Sequence, residues 1–294
     1  MLRESPELVD MTVLACVDGS RYTTAVCEYA ARTANRLGTG VQVLHVLDRA
    51  STPLIDEALE LGDLPDVLRS ELDTSFDPTF RASLHQANNV LAQSVARVQI
   101  MGVPNVRARL VTGNLSEQLA EFESQAHVVV IGRRGEWEGH APQNLGGNLE
   151  RVVRGSRRPI LIVPPHLRPL RKFVVAYDGG VSSEKAIEFL VGDSLLREAE
   201  CHLLMVTTVE EARRDRFERA AERLRGVGYT VVERMQLMEP GRHDEAIIQA
   251  VEGRKADLLV MGAYGHSRLR NMLVGSTTTA LLRGSTVPVL VVRG

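Results

Sequence analysis

Residues 261–294 read MGAYGHSRLRNMLVGSTTTALLRGSTVPVLVVRG, and Gly262, Gly265 and Gly275-Ser276 within them keep the spacing G-x-x-G-x9-G-S. A strand-like run, 257–261, precedes this loop and a helix-like stretch, 277–283, follows it. Glycine at such places lets backbone approach a ligand where a Cβ would obstruct both the turn and the contact. The unpaired N–H groups of a helix start favour an anion, and Ser276 and Thr277 add hydroxyls. The natural reading is a phosphate-binding loop between a strand and a helix. In the spacer, Arg268 and Arg270 are cations suited to phosphate, while His266 reads as a solvated loop histidine.

The rest of the chain repeats this pattern. MTVLACVDGS (11–20) resembles KFVVAYDGG (172–180), and aligning Asp18 with Asp178 sets an offset of 160 residues. At the same offset VQVLHV (41–46) falls on CHLLMV (201–206). AHVVVIGRRG (126–135) matches ADLLVMGAYG (256–265) at an offset of 130, and VVRGSRRPILIVP (152–164) matches LLRGSTVPVLVVR (281–293) at 129. The first copy therefore carries about 30 additional residues, expected within 48–80, a proline-bearing acidic stretch. A solvated loop with a short helix is the first reading of that stretch, and a lid or partner surface the other. The proline-rich linker PPHLRPLR (164–171) divides the chain into expected domains 1–166 and 167–294.

In the second copy the apolar, β-branched runs 173–177, 202–206, 230–234, 258–261 and 289–292 read as strands. Helical patterns fall between them at 183–190, 211–226, 244–252 and 277–282. Strands apolar along their whole length suit a parallel sheet covered on both faces. The fold expected is α/β: two tandem, doubly wound, five-stranded parallel-sheet domains. Such sheets bind ligands beyond the carboxyl ends of their strands, where Asp178, Val206 and Gly262 fall. The two final strands, 160–163 and 289–292, are expected at sheet edges, open to pairing within the chain, between chains, or both.

Bulk properties narrow the field. A net charge of −2 weighs against a dedicated nucleic-acid binder. No apolar run approaches the roughly 18 residues that span a bilayer, and the N-terminus lacks the basic start and apolar core of a signal peptide. Cys16, Cys27 and Cys201 form no C-x-x-C pair; buried thiols in a reducing cytoplasm fit them best. There is no G-x-x-x-x-G-K-S/T, H-E-x-x-H or G-x-S-x-G, so the mechanisms carried by those motifs are absent.

A strand ending in Asp-Gly, followed later by G-x-x-G-x9-G-S/T before the last helix, resembles the universal stress protein family. The duplication resembles its tandem-domain members. The resemblance implies a flavodoxin-like nucleotide site for ATP or AMP, with or without Mg²⁺. Ala176, Tyr177 and Asp178 would meet adenine and ribose, with Val206 near the base. Gly262 and Gly265 would line the ribose and phosphate path, Gly275, Ser276 and Thr277 would hold the phosphates, and Arg268 is a further candidate.

The first copy departs from this pattern. Asp18, Gly132 and Gly135 remain, but the spacer EWEGHAPQNL has ten residues, and Gly146-Gly147-Asn148 replaces Gly-Ser-Thr. Glu136 and Glu138 add negative charge near the expected phosphates, partly offset by Arg133 and Arg134. A weakened or empty site is expected in the N-terminal domain, with a structural role or a different small ligand as alternatives. Trp137 reads as a packed or interface aromatic. The leading expectation is a cytoplasmic stress-response sensor or regulator that binds one adenine nucleotide per chain, in the C-terminal domain. A slow ATP hydrolase and an interaction module with vestigial sites are the competing readings. An intrachain pseudo-dimer that further pairs into a homodimer is the expected assembly.

Overall fold

The computed structural model describes residues 11–47, 59–60, 78–135, 147–208, 211–237, 242–263 and 276–293. The first half runs β1 (Thr12–Val17), α1 (Thr23–Leu37), β2 (Val41–Leu47), β3 (Leu59–Glu60), α2 (Pro78–Ile100), β4 (Val106–Thr112), α3 (Leu115–Phe122), β5 (Ala126–Gly132), α4 (Gly147–Gly155) and β6 (Ile160–Val163). The second runs β7 (Lys172–Ala176), α5 (Val181–Gly192), β8 (Glu200–Thr207), α6 (Glu211–Gly226), β9 (Val231–Leu237), α7 (His243–Gly253), β10 (Leu258–Gly262), α8 (Ser276–Gly284) and β11 (Val289–Val292).

Apart from β3, the strands of each half run parallel to one another, and strand order reverses beside the first strand. Among the described residues, all strands join in one sheet of eleven, in the order β3-β4-β2-β1-β5-β6-β11-β10-β7-β8-β9. The inner strands are mostly apolar because both of their faces are buried. Val13, Ala15 and Val17 of β1 face a core with α1 and α2, while Leu14 and Cys16 face the opposite core with α3 and α4. The same split recurs in the second half, with α5 and α6 on the first face and α7 and α8 on the other. The doubly wound fold read from the sequence is the fold found. Local signals set the element ends: α1 stops at Gly38, left-handed at φ 65°, and the Asn114 side chain caps α3 by accepting the Ser116 N–H at 3.0 Å.

The two halves meet edge to edge. β6 and β11, each the last strand of its own half, pair antiparallel with Leu161 opposite Leu290. The intrachain pseudo-dimer is thus built from backbone hydrogen bonds, and both terminal-strand edges are consumed in it. Side chains brace the seam. Arg133 donates from Nη2 to the Val287 carbonyl at 3.0 Å and from Nη1 to that of Ser285. Arg36 reaches the Leu195 carbonyl at 2.9 Å, and His127 meets Asp193.

Part of the additional stretch in the first copy is visible. Leu59–Glu60 lie antiparallel against β4, with Leu59 opposite Leu110 and Glu60 opposite Arg109. Its expected end moves, because Pro78, Thr79 and Phe80 belong to the first turn of α2. Phe80 is only 2% exposed, and that burial makes it part of the core instead of a loop. In the second half no strand borders the outer edge of β9 among the described residues, and its Val232, Glu233 and Arg234 are exposed. Among the described residues no helix is long and apolar enough to cross a membrane.

Candidate functional site

Strand order reverses between β1 and β5 in the first half, and between β7 and β10 in the second, with each of these pairs parallel. Crevices at the carboxyl ends of these strands are where such sheets take ligands. In the C-terminal half, Asp178 lies two residues beyond β7, Gly262 ends β10, and Ser276 and Thr277 open α8, both exposed. The next residue, Thr278, is buried and donates its hydroxyl to the Ala263 carbonyl at 2.9 Å. That bond ties the start of α8 to the end of β10. The N-terminus of α8, the positive end of its helix dipole, therefore stands at the switch point. Gly265, Arg268 and Gly275, with His266 and Arg270, lie outside the described residues, as do Glu136, Trp137 and Glu138.

The other expected residues divide. Ala176 and Val206 sit at the ends of β7 and β8, packed toward α7 and α8. Tyr177 turns the opposite way: its ring lies 6.4 Å from that of Phe217 and its hydroxyl donates to Glu184. Burial and the Glu184 carboxylate push its hydroxyl pKa well up, so it stays protonated. At 2% exposure Tyr177 can present only main chain to a ligand. The Asp178 carboxylate organises the turn into α5, its Oδ1 accepting the Gly180 N–H at 2.8 Å and the Ser183 hydroxyl at 2.6 Å. Two residues that sequence reasoning missed brace this turn from α6. Arg213 donates to the Asp178 carbonyl at 3.0 Å and Arg216 to that of Gly179 at 3.2 Å. The only signal for them was a run of arginines on a helix.

Gly262 has a second use. A Cβ there would lie 2.6 Å from the Ser182 carbonyl carbon and 2.7 Å from the Ser183 nitrogen. Its glycine lets the first turn of α5 press against the end of β10, alongside any approach by a ligand. Gly132 does the same in the first half, where a Cβ would meet Tyr22 Cβ at 2.7 Å.

The N-terminal crevice opens into a cavity of about 470 Å³, within the range usual for small-molecule sites. Asp18, at the end of β1, lines it with His45 and Val46 of β2. Asn114 before α3, Gly135 in the glycine loop and Asn148 in α4 close the other sides, and α2 contributes Ser83 and Gln86. Asp18 Oδ1 accepts the Ser20 N–H at 3.0 Å, repeating the turn seen at Asp178. Cys16 also lines the cavity, but burial and the nearby Asp18 push its thiol up to about 12. It stays protonated and is no nucleophile. Burial holds His45 below the usual histidine range, against an opposing pull from Asp18 and a bond to the Val17 backbone. His45 was missed although the repeat aligned it with Met205.

The fold and these crevices define a tandem doubly wound α/β protein with a glycine-rich loop leading into the last helix of each half. The model of the universal stress protein family matches residues 11–164 and again 169–293, and the chain belongs to that family. It is similar to a universal stress protein of Synechocystis sp., with 32% identity over 96% of this chain and 99% of the relative. A universal stress protein of Mycobacterium bovis is 22% identical over 98% of this chain and 97% of its own. Among solved structures, a universal stress protein from Archaeoglobus fulgidus superposes with a TM-score of 0.70 at 20% identity, over 96% of both chains. One from Pseudomonas aeruginosa gives 0.62 at 16% identity, over 96% of this chain and 93% of the other. These two likenesses are likenesses of fold.

Proposed function

We propose that the chain binds one adenine nucleotide, ATP or AMP with or without Mg²⁺, in its C-terminal half and acts as a cytoplasmic stress-response sensor or regulator. The observation that carries this reading is the start of α8. Exposed Ser276 and Thr277 stand at a helix N-terminus anchored to β10 by Thr278, directly after the sequence G-x-x-G-x9-G. A helix start with free N–H groups and hydroxyls favours phosphate oxygens, and Arg268 in the loop sequence adds a cation. Ala176 and Val206 offer an apolar floor for a base, and the Asp178 turn an acceptor for ribose hydroxyls. Pairing of two chains into a homodimer is part of the same proposal and uses a surface other than β6 and β11.

Calorimetric titration of ATP into the full chain and into Gly275→Val tests it. One site per chain is expected in the parent, with affinity lowered at least roughly tenfold in the variant, about 1.4 kcal/mol. Identical isotherms, or no heat in either, would refute the reading.

A further inference from the structure

The two outer edges of the sheet end differently. Leu44 of β2 pairs with Arg109 of β4, Leu204 of β8 pairs with Arg234 of β9, and the offset of 160 sets Leu44 on Leu204. Arg234 therefore stands where Arg109 stands in the first half, and Met235 where Leu110 stands. On β4 those two positions are met by an antiparallel segment of the chain itself, with Leu59 opposite Leu110 and Glu60 opposite Arg109. On β9 no strand meets them among the described residues, although β9 is seven residues long and its Val232, Arg234 and Leu237 are exposed. An edge of that length offers backbone N–H and C=O groups to an extended segment.

Charge says which segment fits. Glu233, beside Arg234 on the strand, is held by Arg225 from α6. Arg234 itself has no acidic partner among the described residues. Its charged neighbour is another cation, Arg254, just past the end of α7. Burial first, and the Arg234 charge second, hold Arg254 below the usual arginine range, against an opposing pull from Glu200. A carboxylate opposite Arg234 offsets this repulsion. A second copy of β9 does not supply one. Antiparallel pairing over the whole of Val231–Leu237 sets Arg234 opposite its own counterpart, and like charges directly opposite destabilise a strand pair.

We propose that the outer edge of β9 is a docking surface for an extended segment of another protein, which joins the sheet antiparallel with an apolar residue opposite Met235 and, next after it, an acidic residue opposite Arg234. The edge is separated by β8 from the β7–β10 crevice, and the proposal does not rest on nucleotide binding there.

The probe is a synthetic peptide of this chain's own residues 55–62, IDEALELG, which contain Leu59 and Glu60. A fluorescent form is titrated by anisotropy with the full chain and with Arg234→Glu, and both titrations are repeated with the peptide carrying Glu60→Lys. Saturable binding is expected in the parent below about 1 mM, with affinity lowered roughly tenfold or more by Arg234→Glu. The Glu60→Lys peptide is expected to bind Arg234→Glu better than it binds the parent, an exchange that direct pairing of the two positions requires and that a misfolded variant would not show. Hydrogen exchange places the complex: amides of 231–237 gain protection with peptide, and those of 106–112 do not change. No binding at about 1 mM, equal affinity for parent and Arg234→Glu, no gain on charge exchange, or protection confined to 106–112 would each overturn the proposal. So would protection of 231–237 that rises with protein concentration alone, because the edge would then belong to a second copy.

Discussion

Gly262→Ala adds one methyl group at the end of β10, where the chain has no room for it. The new carbon would stand 2.6 Å from the Ser182 carbonyl carbon and 2.7 Å from both Ser182 Cβ and the Ser183 nitrogen. Real Cβ atoms avoid such approaches, and two of these neighbours are backbone in the first turn of α5, unable to rotate away. Relief therefore requires α5 to slide off the sheet, against the buried contacts of Ala186, Ile187 and Leu190. Overpacking of this kind costs about 1–3 kcal/mol. For chains somewhat shorter than this one, each kcal/mol moves the thermal midpoint by roughly 2–4 °C, so a fall of about 2–12 °C is expected. Gly155→Ala is the control, because a Cβ there meets nothing within 4 Å at the end of α4. It is expected to leave the midpoint unchanged or raise it, by at most about 1 kcal/mol. Thermal unfolding followed by circular dichroism reads both. If Gly262→Ala melts with the parent, close approach of α5 is not what that glycine serves, and its role falls to the ligand alone.

Arg133→Ala removes the donors that hold the Ser285 and Val287 carbonyls across the seam. A loss of about 1–3 kcal/mol is expected in urea unfolding, and an unchanged midpoint would mean that strand pairing alone carries the junction. His45 and His202 are each held below their usual value of 6.5, with burial the largest cause. Above that pH both are neutral whether folded or unfolded and contribute nothing to pH dependence. As pH falls through 6.5 the unfolded chain takes up protons first, so stability is lost toward pH 5. His45→Gln/His202→Gln is expected to flatten this decline in urea midpoints between pH 7 and 5; an equal slope in parent and variant would assign it to other groups.

Strand and helix order was legible because the inner strands of the sheet are buried on both sides, and that burial writes apolar runs into the sequence. The misses follow from where burial ends. The third strand of the second half was expected at 230–234 but runs Val231–Leu237. Glu233, Arg234 and Gln236 lie on the outermost strand, where polar side chains reach water and the apolar signal fades. The Asp178 and Gly262 positions were read for ligand contact alone, whereas the structure also gives them a turn to organise and a helix to admit. Nothing local in the sequence states that Gly262 touches Ser182, since eighty residues separate them. The N-terminal cavity was hidden for a related reason. Val17 and His45 look unremarkable within their own strands, and only comparison with Tyr177 and Met205 shows how much bulk is missing.

The antiparallel pairing of β6 with β11 has a consequence for how this chain can change. In a symmetric dimer of identical subunits every substitution at the interface is made twice, and each residue faces its own copy's counterpart. Here the two sides are encoded separately. Arg133 crosses to Ser285 and Val287, while the residue in its place in the other half, Ala263, has no side chain able to return the gesture. Covalent joining has released the halves from obligatory symmetry, so one can specialise while the other keeps the sheet intact.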